Sequence, residues 1–146
     1  MRNPNRYFLQ LVGVAALGLA LIAVTPAATA AEKPSDLCAR VGYDAGWRGN
    51  TLKTAIAIGM AESTCNPAAY HTNSDGSIDR GLWQINSRWH PEVSKTCAYD
   101  AKCNGKEANR IYREARGFSP WSTYNGGQYR THLTEAANAC KRTGKC

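Results

Sequence analysis

Six cysteines restrict the folds that this chain can adopt more than any other feature of its sequence. An even number of cysteines in a small exported domain is typical of a disulfide framework, although the count alone leaves the pairing open. Zinc is the alternative, but the sequence has no CxxC pair and its three histidines are scattered. We therefore predict disulfides and no metal site. Cys97–Cys103 is the pair easiest to envisage, because it closes a short loop. The six residues are Cys38, Cys65, Cys97, Cys103, Cys140 and Cys146.

The first thirty residues are typical of a secretory signal peptide. Arg2 and Arg6 precede an uninterrupted apolar run at 11–24, and small residues follow that permit cleavage between Ala30 and Ala31. The apolar run is shorter than the roughly 20 residues that span a membrane, so an uncleaved anchor is the minority alternative. We predict that residues 1–30 are a signal peptide. Residues 31–146 would form one secreted domain, located in the cell wall or the periplasm.

The chain is basic, with a formal net charge of +7, and loss of Arg2 and Arg6 with the signal peptide would leave +5. A secreted basic protein attracts polyanions such as wall polymers, anionic lipid or nucleic acid. No basic run with interleaved aromatic residues occurs, so we do not expect nucleic acid as a partner. An anionic cell wall fits the compartment best. A charge that only maintains solubility explains the composition equally well.

A half-buried helix is predicted after residue 50, because Leu52, Ala55, Ile56 and Gly59 recur at spacings of three and four. This helix carries Glu62 near its end. The positions that share its face are apolar, and loss of hydration there disfavours the charged form of a carboxyl group and raises its pKa. A glutamate that stays protonated can act as a general acid. An ordinary exposed glutamate at a helix end is the alternative.

The segment that follows supplies two more acids. NSDG is a turn signal, so we predict a small β-hairpin around it and interpret Asp75 as a turn residue. Asp79 is the better candidate for a second carboxyl group, which retaining glycosidases place about 5 Å from the first. A role in ordering the loop explains Asp79 equally well. Farther on, we predict helix at 107–116 and mostly irregular structure at 88–106.

Three segments in the same order resemble the lysozyme superfamily: AESTCNP, NSDGSIDRGLWQINSRW and WSTYNGG. The stretch 62–89 is similar to C-type lysozymes, including the aspartate seventeen residues after the glutamate. The start of the first segment, GLWQIN and YNGG also resemble bacterial lytic transglycosylases, and WSTYNGG fits that branch better. The resemblance implies a mainly α (α+β) lysozyme-like domain with a small β-hairpin arm. It also implies cofactor-free cleavage of the MurNAc–GlcNAc bond of peptidoglycan.

The resemblance also assigns roles to individual residues. Glu62 would be the acid and base; C-type lysozymes are the type case of a raised glutamate pKa, so this role is implied by the family. Trp83 and Trp89 could stack on sugar rings, although both, and Trp121 above all, are equally consistent with a core position. The cysteine positions match neither branch, so no pairing is carried over. The residues that match groove positions are Ser63, Gln84, Asn86, Tyr124 and Asn125.

Three functions are consistent with these residues. The sequence favours a monomeric lytic transglycosylase acting on peptidoglycan strands, in which Glu62 suffices and the sugar's own 6-hydroxyl attacks to give a 1,6-anhydro product. The alternative is a hydrolytic muramidase with Asp79 as the second carboxylate. A non-catalytic wall-binding or antimicrobial protein would tolerate loss of Glu62, and the complete set of site residues argues against it.

Overall fold

Helices form most of the part of the chain that the structure, a computed structural model, describes. That part is residues 31–146, so the predicted signal peptide lies outside the described residues. No helix among residues 31–146 has the length and apolar character needed to cross a membrane. The elements are α1 (Pro34–Ala45), α2 (Gly49–Ser63), β1 (Tyr70–Thr72), β2 (Ile78–Arg80), β3 (Ile85–Asn86), α3 (Lys95–Tyr99), α4 (Ala101–Glu114), α5 (Ser122–Asn125), a 3-10 helix (Gln128–His132) and α6 (Leu133–Thr143).

Helix α2 occupies the centre of the domain. Five consecutive residues, Ala55 to Gly59, are buried, so the middle of this helix is covered on all sides and not only on one face. Helices α1 and α6 and the 3-10 helix pack around it. A helix that is apolar on every side is stable only inside a core. The half-buried helix predicted from spacing is therefore more deeply buried than its periodicity indicates.

Trp83 connects the centre of α2 to the segment that follows the sheet. Its side chain is 0% exposed, and its Nε1 donates a hydrogen bond to the carbonyl of Ala55 at 2.8 Å. Its own carbonyl accepts a hydrogen bond from Nε1 of Trp121 at 2.9 Å. Trp47 packs beside it, with ring centroids 5.1 Å apart. The interpretation of Trp83 as a sugar-stacking residue is wrong, because a ring without exposed surface cannot meet a substrate.

The three strands form one antiparallel sheet in the order β1-β2-β3. The NSDG turn joins the first two strands, with Asn73 and Ser77 bonded across it and Gly76 at φ +80°. Pairing of β1 with β2 puts His71 opposite Asp79, and pairing of β2 with β3 puts Asn86 opposite Asp79 on the other side. The predicted hairpin is present, and the short third strand extends it into a sheet.

Three disulfides connect the helices, as the cysteine count predicts. Cys38–Cys65 joins α1 to the residues just after α2, Cys97–Cys103 joins α3 to α4, and Cys140–Cys146 closes the C-terminus. The predicted Cys97–Cys103 pair is confirmed. Gly59 makes room for the first bridge, since a Cβ at this position would lie 2.8 Å from Sγ of Cys38.

The prediction of irregular structure at 88–106 is wrong. Helix α3 occupies part of it, and α4 begins at Ala101, where Asp100 accepts a hydrogen bond from the main-chain N–H of Cys103 at 2.7 Å as an N-cap. The apolar periodicity that would predict this helix is interrupted at Asn104, because this buried position holds a polar residue. Its side chain accepts from the N–H of Trp83 and donates to the carbonyl of Ala98, so it is paired within the core.

The disulfides differ in the length of chain that they close, and so in their expected contribution to stability. Removing Cys38–Cys65 by a double serine substitution should lower the free energy of unfolding by about 3.5 kcal/mol, because that bridge spans 27 residues. Removing Cys97–Cys103, which spans six residues, should cost about 2.3 kcal/mol. Urea denaturation of both variants measures the difference. If both variants lost the same free energy of unfolding, or the Cys97–Cys103 variant lost more, the loop-closure entropy of the unfolded chain would not explain the contribution of these disulfides to stability.

Candidate active site

A cavity of about 420 Å³ lies between the sheet, the end of α2 and the start of α5. Five residues predicted from the sequence line it together: Glu62, Asp79, Gln84, Asn86 and Trp89. They come from α2, β2, the turn before β3, β3 itself and the loop after β3. The other residues of the lining are Ile85, His90, Ile111, Pro120, Trp121 and Ser122.

Glu62 lies in the last turn of α2, where its carboxyl group is half-buried. Its Oε1 accepts a hydrogen bond from the hydroxyl of Thr123. Burial raises the pKa of Glu62, and this effect exceeds the opposing effect of the Thr123 hydroxyl, which favours the carboxylate. The negative charge of Asp79 raises the pKa of Glu62 further. The direction is the one that the apolar face of α2 predicts, and burial thus favours the protonated form of this side chain.

Asp79 is held by two amide side chains. Its Oδ1 accepts a hydrogen bond from Nδ2 of Asn86 at 2.7 Å, and its Oδ2 accepts one from Nδ2 of Asn73 at 3.0 Å. The β2–β3 register is responsible for the first contact, because it puts Asn86 directly opposite Asp79. Both carboxylate oxygens are thus oriented before any substrate arrives.

Asp75 is the turn residue that its sequence context predicts. Its Oδ1 accepts hydrogen bonds from the hydroxyl and the main-chain N–H of Ser77, and its carboxylate forms an ion pair with Arg88 at 3.0 Å. The Ser77 hydroxyl and then its N–H lower the pKa of Asp75. This exposed carboxylate does not line the cavity and is not available as a second catalytic acid.

The turn before β3 has an unusual backbone. Gln84 has φ +45°, a left-handed conformation that costs free energy in a residue with a side chain. Its Nε2 donates to the carbonyls of Gly81 at 2.8 Å and Ala69 at 3.2 Å, and these bonds stabilise the turn. Gly81 is required here, since a Cβ would lie only 2.1 Å from the carbonyl oxygen of Ala98. The turn directs Gln84 and Asn86 toward the cavity.

Two tryptophans contribute to the cavity in different ways. Trp89 is 75% exposed and lines the cavity, and its stacking on a sugar stays a prediction. Trp121 is 6% exposed and forms part of the floor, with its indole N–H bonded to the carbonyl of Trp83.

Three predicted groove residues do not line the cavity. The hydroxyl of Ser63 donates to the carbonyl of Leu82 at 2.7 Å and connects α2 to the turn before β3. Tyr124 stacks on Tyr129 with centroids 4.9 Å apart, and Asn125 donates to the carbonyl of Ser119 at 2.8 Å. These side chains order the wall of the cleft and do not form its surface.

The sequence interpretation missed Thr123 and His90. Thr123 lies inside the WSTYNGG segment, between Trp121 and Tyr124. From the sequence, substrate contacts are considered for these two aromatic residues and none for Thr123. A single threonine or histidine gives no periodicity or spacing that sequence analysis could use. Thr123 is identified only by its contact with Glu62 where α5 approaches α2, and His90 only by its place in the lining of the cavity. Among residues 31–146, no group of three or more histidine, cysteine or acidic side chains could hold a metal ion.

The chain belongs to the lysozyme-like domain family, whose model matches residues 39–123. The match begins in α1 and ends at Thr123, so it contains Glu62, Asp79 and the residue that bonds to Glu62.

Individual relatives support this membership. The chain is 30% identical over 93 residues to a protein named Lysozyme C from Takifugu rubripes, covering 55% of this chain and 65% of that protein. It is 28% identical over 116 residues to Lysozyme C-3 from Anas platyrhynchos, covering 70% and 89% respectively. It is 36% identical over 83 residues to Lysozyme C II from Oncorhynchus mykiss, covering 53% and 57%.

The raised pKa of Glu62 predicts how stability depends on pH. A folded-state pKa above the unfolded value of about 4.3 favours folding below that pH, and the benefit is lost as the pH rises through the folded pKa. Glutamine does not titrate and can still accept the Thr123 bond. The difference in Tm, Glu62→Gln minus wild type, should therefore grow from about pH 3 to about pH 8.

Thermal melts of both proteins across this range provide the measurement. Glu114→Gln serves as a control, because that carboxylate is exposed and paired with Arg110. It should show no such increase. A Tm difference for Glu62→Gln that stays constant with pH would contradict the raised pKa.

Proposed function

We propose that this protein cleaves the β-1,4 bond between MurNAc and GlcNAc in peptidoglycan, and that it does so by hydrolysis. The observation that carries the proposal is the presence of Glu62 and Asp79 in one cavity, with different surroundings. One carboxyl group is half-buried with a raised pKa, and the other has both oxygens held by amides. The named relatives are C-type lysozymes, which supports the same reaction class.

Glu62 acts first, as the general acid. Burial favours its protonated form, so it can donate a proton to the glycosidic oxygen as the bond to C1 breaks. Loss of that proton leaves a carboxylate, which then accepts a proton from the attacking water. Lysozymes are the type case of this sequence of steps, so the scheme is carried over from the family.

Asp79 acts on the other reacting atom. Its carboxylate stabilises or traps the positive charge that develops at C1 of the sugar, and water then completes hydrolysis. A group in this role must not reorient during the reaction, because preorganised charge is what stabilises the transition state. The bonds from Asn73 and Asn86 supply that preorganisation.

Lytic transglycosylase activity is the second candidate, and one contact favours it. WSTYNGG is the segment that fits transglycosylases better, and its Thr123 bonds directly to Glu62. In that reaction Glu62 would be the only catalytic carboxyl group, and the 6-hydroxyl of the sugar would attack C1. Asp79 would then order the hairpin and would have no direct part in catalysis.

The products of peptidoglycan digestion distinguish the two reactions. Mass spectrometry of fragments released by residues 31–146, folded under oxidising conditions, should show reducing ends. Fragments one water lighter, with 1,6-anhydro ends, would instead establish the transglycosylase. Glu62→Gln should release nothing in either case, and retained binding without cleavage by the wild-type protein would support a wall-binding role.

Asp79→Asn tests the second carboxylate directly. Hydrolysis should fall by about a hundredfold or more, equivalent to about 2.7 kcal/mol of transition-state stabilisation. Asp75→Asn is the matched control, four residues away on the same hairpin but outside the cavity, and it should retain activity. An Asp79→Asn variant with wild-type kcat would remove Asp79 from catalysis.

Trp89 is expected to contribute to substrate binding and not to stability. Because Trp89 lines the cavity and three quarters of its surface is exposed to solvent, Trp89→Ala should raise KM by about tenfold, or about 1.4 kcal/mol, with Tm unchanged. Steady-state kinetics on soluble glycan fragments and a thermal melt measure the two effects. A fall in Tm with unchanged KM would indicate a structural role.

A further inference from the structure

The contact between Thr123 and Glu62 connects two parts of the chain that are 61 residues apart in sequence. Oγ1 of Thr123 lies 2.5 Å from Oε1 of Glu62. Among residues 31–146, no side-chain donor other than the Thr123 hydroxyl bonds to the Glu62 carboxyl group, so the other oxygen, Oε2, has no side-chain partner. We infer that Thr123 is a positioning residue, which holds Oε1 of Glu62 so that Oε2 is the atom that delivers and accepts the proton. This inference rests on the proposed function for the role of Glu62 in catalysis.

Thr123 can position Glu62 because Thr123 is itself anchored to the helix that carries Glu62. The indole of Trp121, two residues before it, bonds to the carbonyl of Trp83, and the indole of Trp83 bonds to the carbonyl of Ala55. Ala55 and Glu62 are two turns apart on α2. Three side-chain hydrogen bonds therefore run from α2 through the two tryptophans to α5 and back to α2.

The two tryptophans in this circuit are almost completely buried, at 0% and 6% exposure, so water does not compete for their indole bonds. A donor fixed in this way can orient a carboxyl group at little entropic cost. On a protein surface, by contrast, a threonine and a glutamate would both have to lose side-chain rotational freedom to form the same hydrogen bond.

The chemistry of the contact decides which oxygen carries the proton. A threonine hydroxyl has one hydrogen to donate. When it donates to Oε1, that oxygen acts as the carbonyl-type acceptor of the protonated acid, and the acidic hydrogen belongs on Oε2. After proton transfer the same hydroxyl donates to a full carboxylate, and such charge-assisted bonds are stronger than neutral ones.

The hydroxyl also affects the proton affinity of Glu62. It lowers the pKa of Glu62, while burial and the charge of Asp79 raise it. His90, from the loop after β3, is the other titratable side chain that lines the cavity. The main-chain N–H of Thr123 also lowers this pKa, but less than the hydroxyl does. Removing the hydroxyl should leave only that smaller effect against burial and Asp79, so the pKa of Glu62 should rise further.

Thr123→Val tests the inference because valine keeps the shape of threonine and lacks the hydroxyl. The pKa of Glu62 can be followed in the free protein by NMR of its labelled side-chain carboxyl carbon. We expect the midpoint of the Glu62 titration to move to higher pH and the alkaline limb of the pH profile of kcat to move with it. The value of kcat should fall by about ten- to a hundredfold. KM should change little, since Thr123 does not line the cavity.

Thr123→Ser restores the donor and should recover both the midpoint and most of kcat. Thr131→Val is the matched control: it makes the same chemical change in the 3-10 helix, where the hydroxyl bonds only to the carbonyl of Gln128. It should alter neither quantity. If Thr123→Val fails to fold, Thr123→Ala takes its place against the serine variant.

Two results would overturn the inference. One is an unchanged Glu62 midpoint and an unchanged kcat in Thr123→Val. The other is a serine variant as impaired as the valine variant, which would show that shape matters and the hydroxyl does not. The NMR titration needs no substrate, so it separates this question from the proposed function: a shifted midpoint in a protein that cleaves no peptidoglycan would reject the glycosidase and retain the contact.

Discussion

The hydrogen bond from the buried indole of Trp83 to the carbonyl of Ala55 is the interaction on which the site depends most. A buried indole N–H that lacks a hydrogen-bond partner costs free energy, and the Trp83 N–H has its partner inside the central helix. The bond places the segment before β3 against α2, and the carbonyl of the same tryptophan then receives Trp121. One core residue thus fixes the distance between the helix that carries Glu62 and both walls of the cleft.

The cleft combines two carboxyl groups in contrasting environments. Glu62 ends a helix that is apolar around its middle, and the loss of hydration there favours its protonated form. Asp79 lies in a sheet, where amide side chains on both sides meet its oxygens. Helix and sheet thus give the two carboxyl groups of one cavity different surroundings, and the proposed pair of a general acid and a second carboxylate depends on that difference.

Much of the site could be predicted because it lies in one continuous stretch. Glu62, Asp79, Gln84, Asn86 and Trp89 fall within 28 residues, so the motif and its resemblance to lysozymes identify them together. The sugar-stacking role considered for Trp83 is wrong because a sequence motif does not show which of its side chains point into the core. The neighbours of Trp83 line the cavity, whereas its own ring points into the core. The part of α4 before residue 107 was predicted to be irregular, because its buried polar residue interrupts the apolar pattern, whereas the helix predicted at 107–116 overlaps the rest of α4.

The sequence by itself determined the mainly helical class, the presence of disulfides, the hairpin and the acid at the end of α2, since each of these depends on local spacing or on residue type. Only the tertiary structure decided which cysteines pair across 27 residues, that Trp83 is structural, and that Thr123 meets Glu62. Local patterns specify the conformation of a segment. Contacts between distant segments depend instead on how the buried surfaces pack, and that packing involves the whole domain at once.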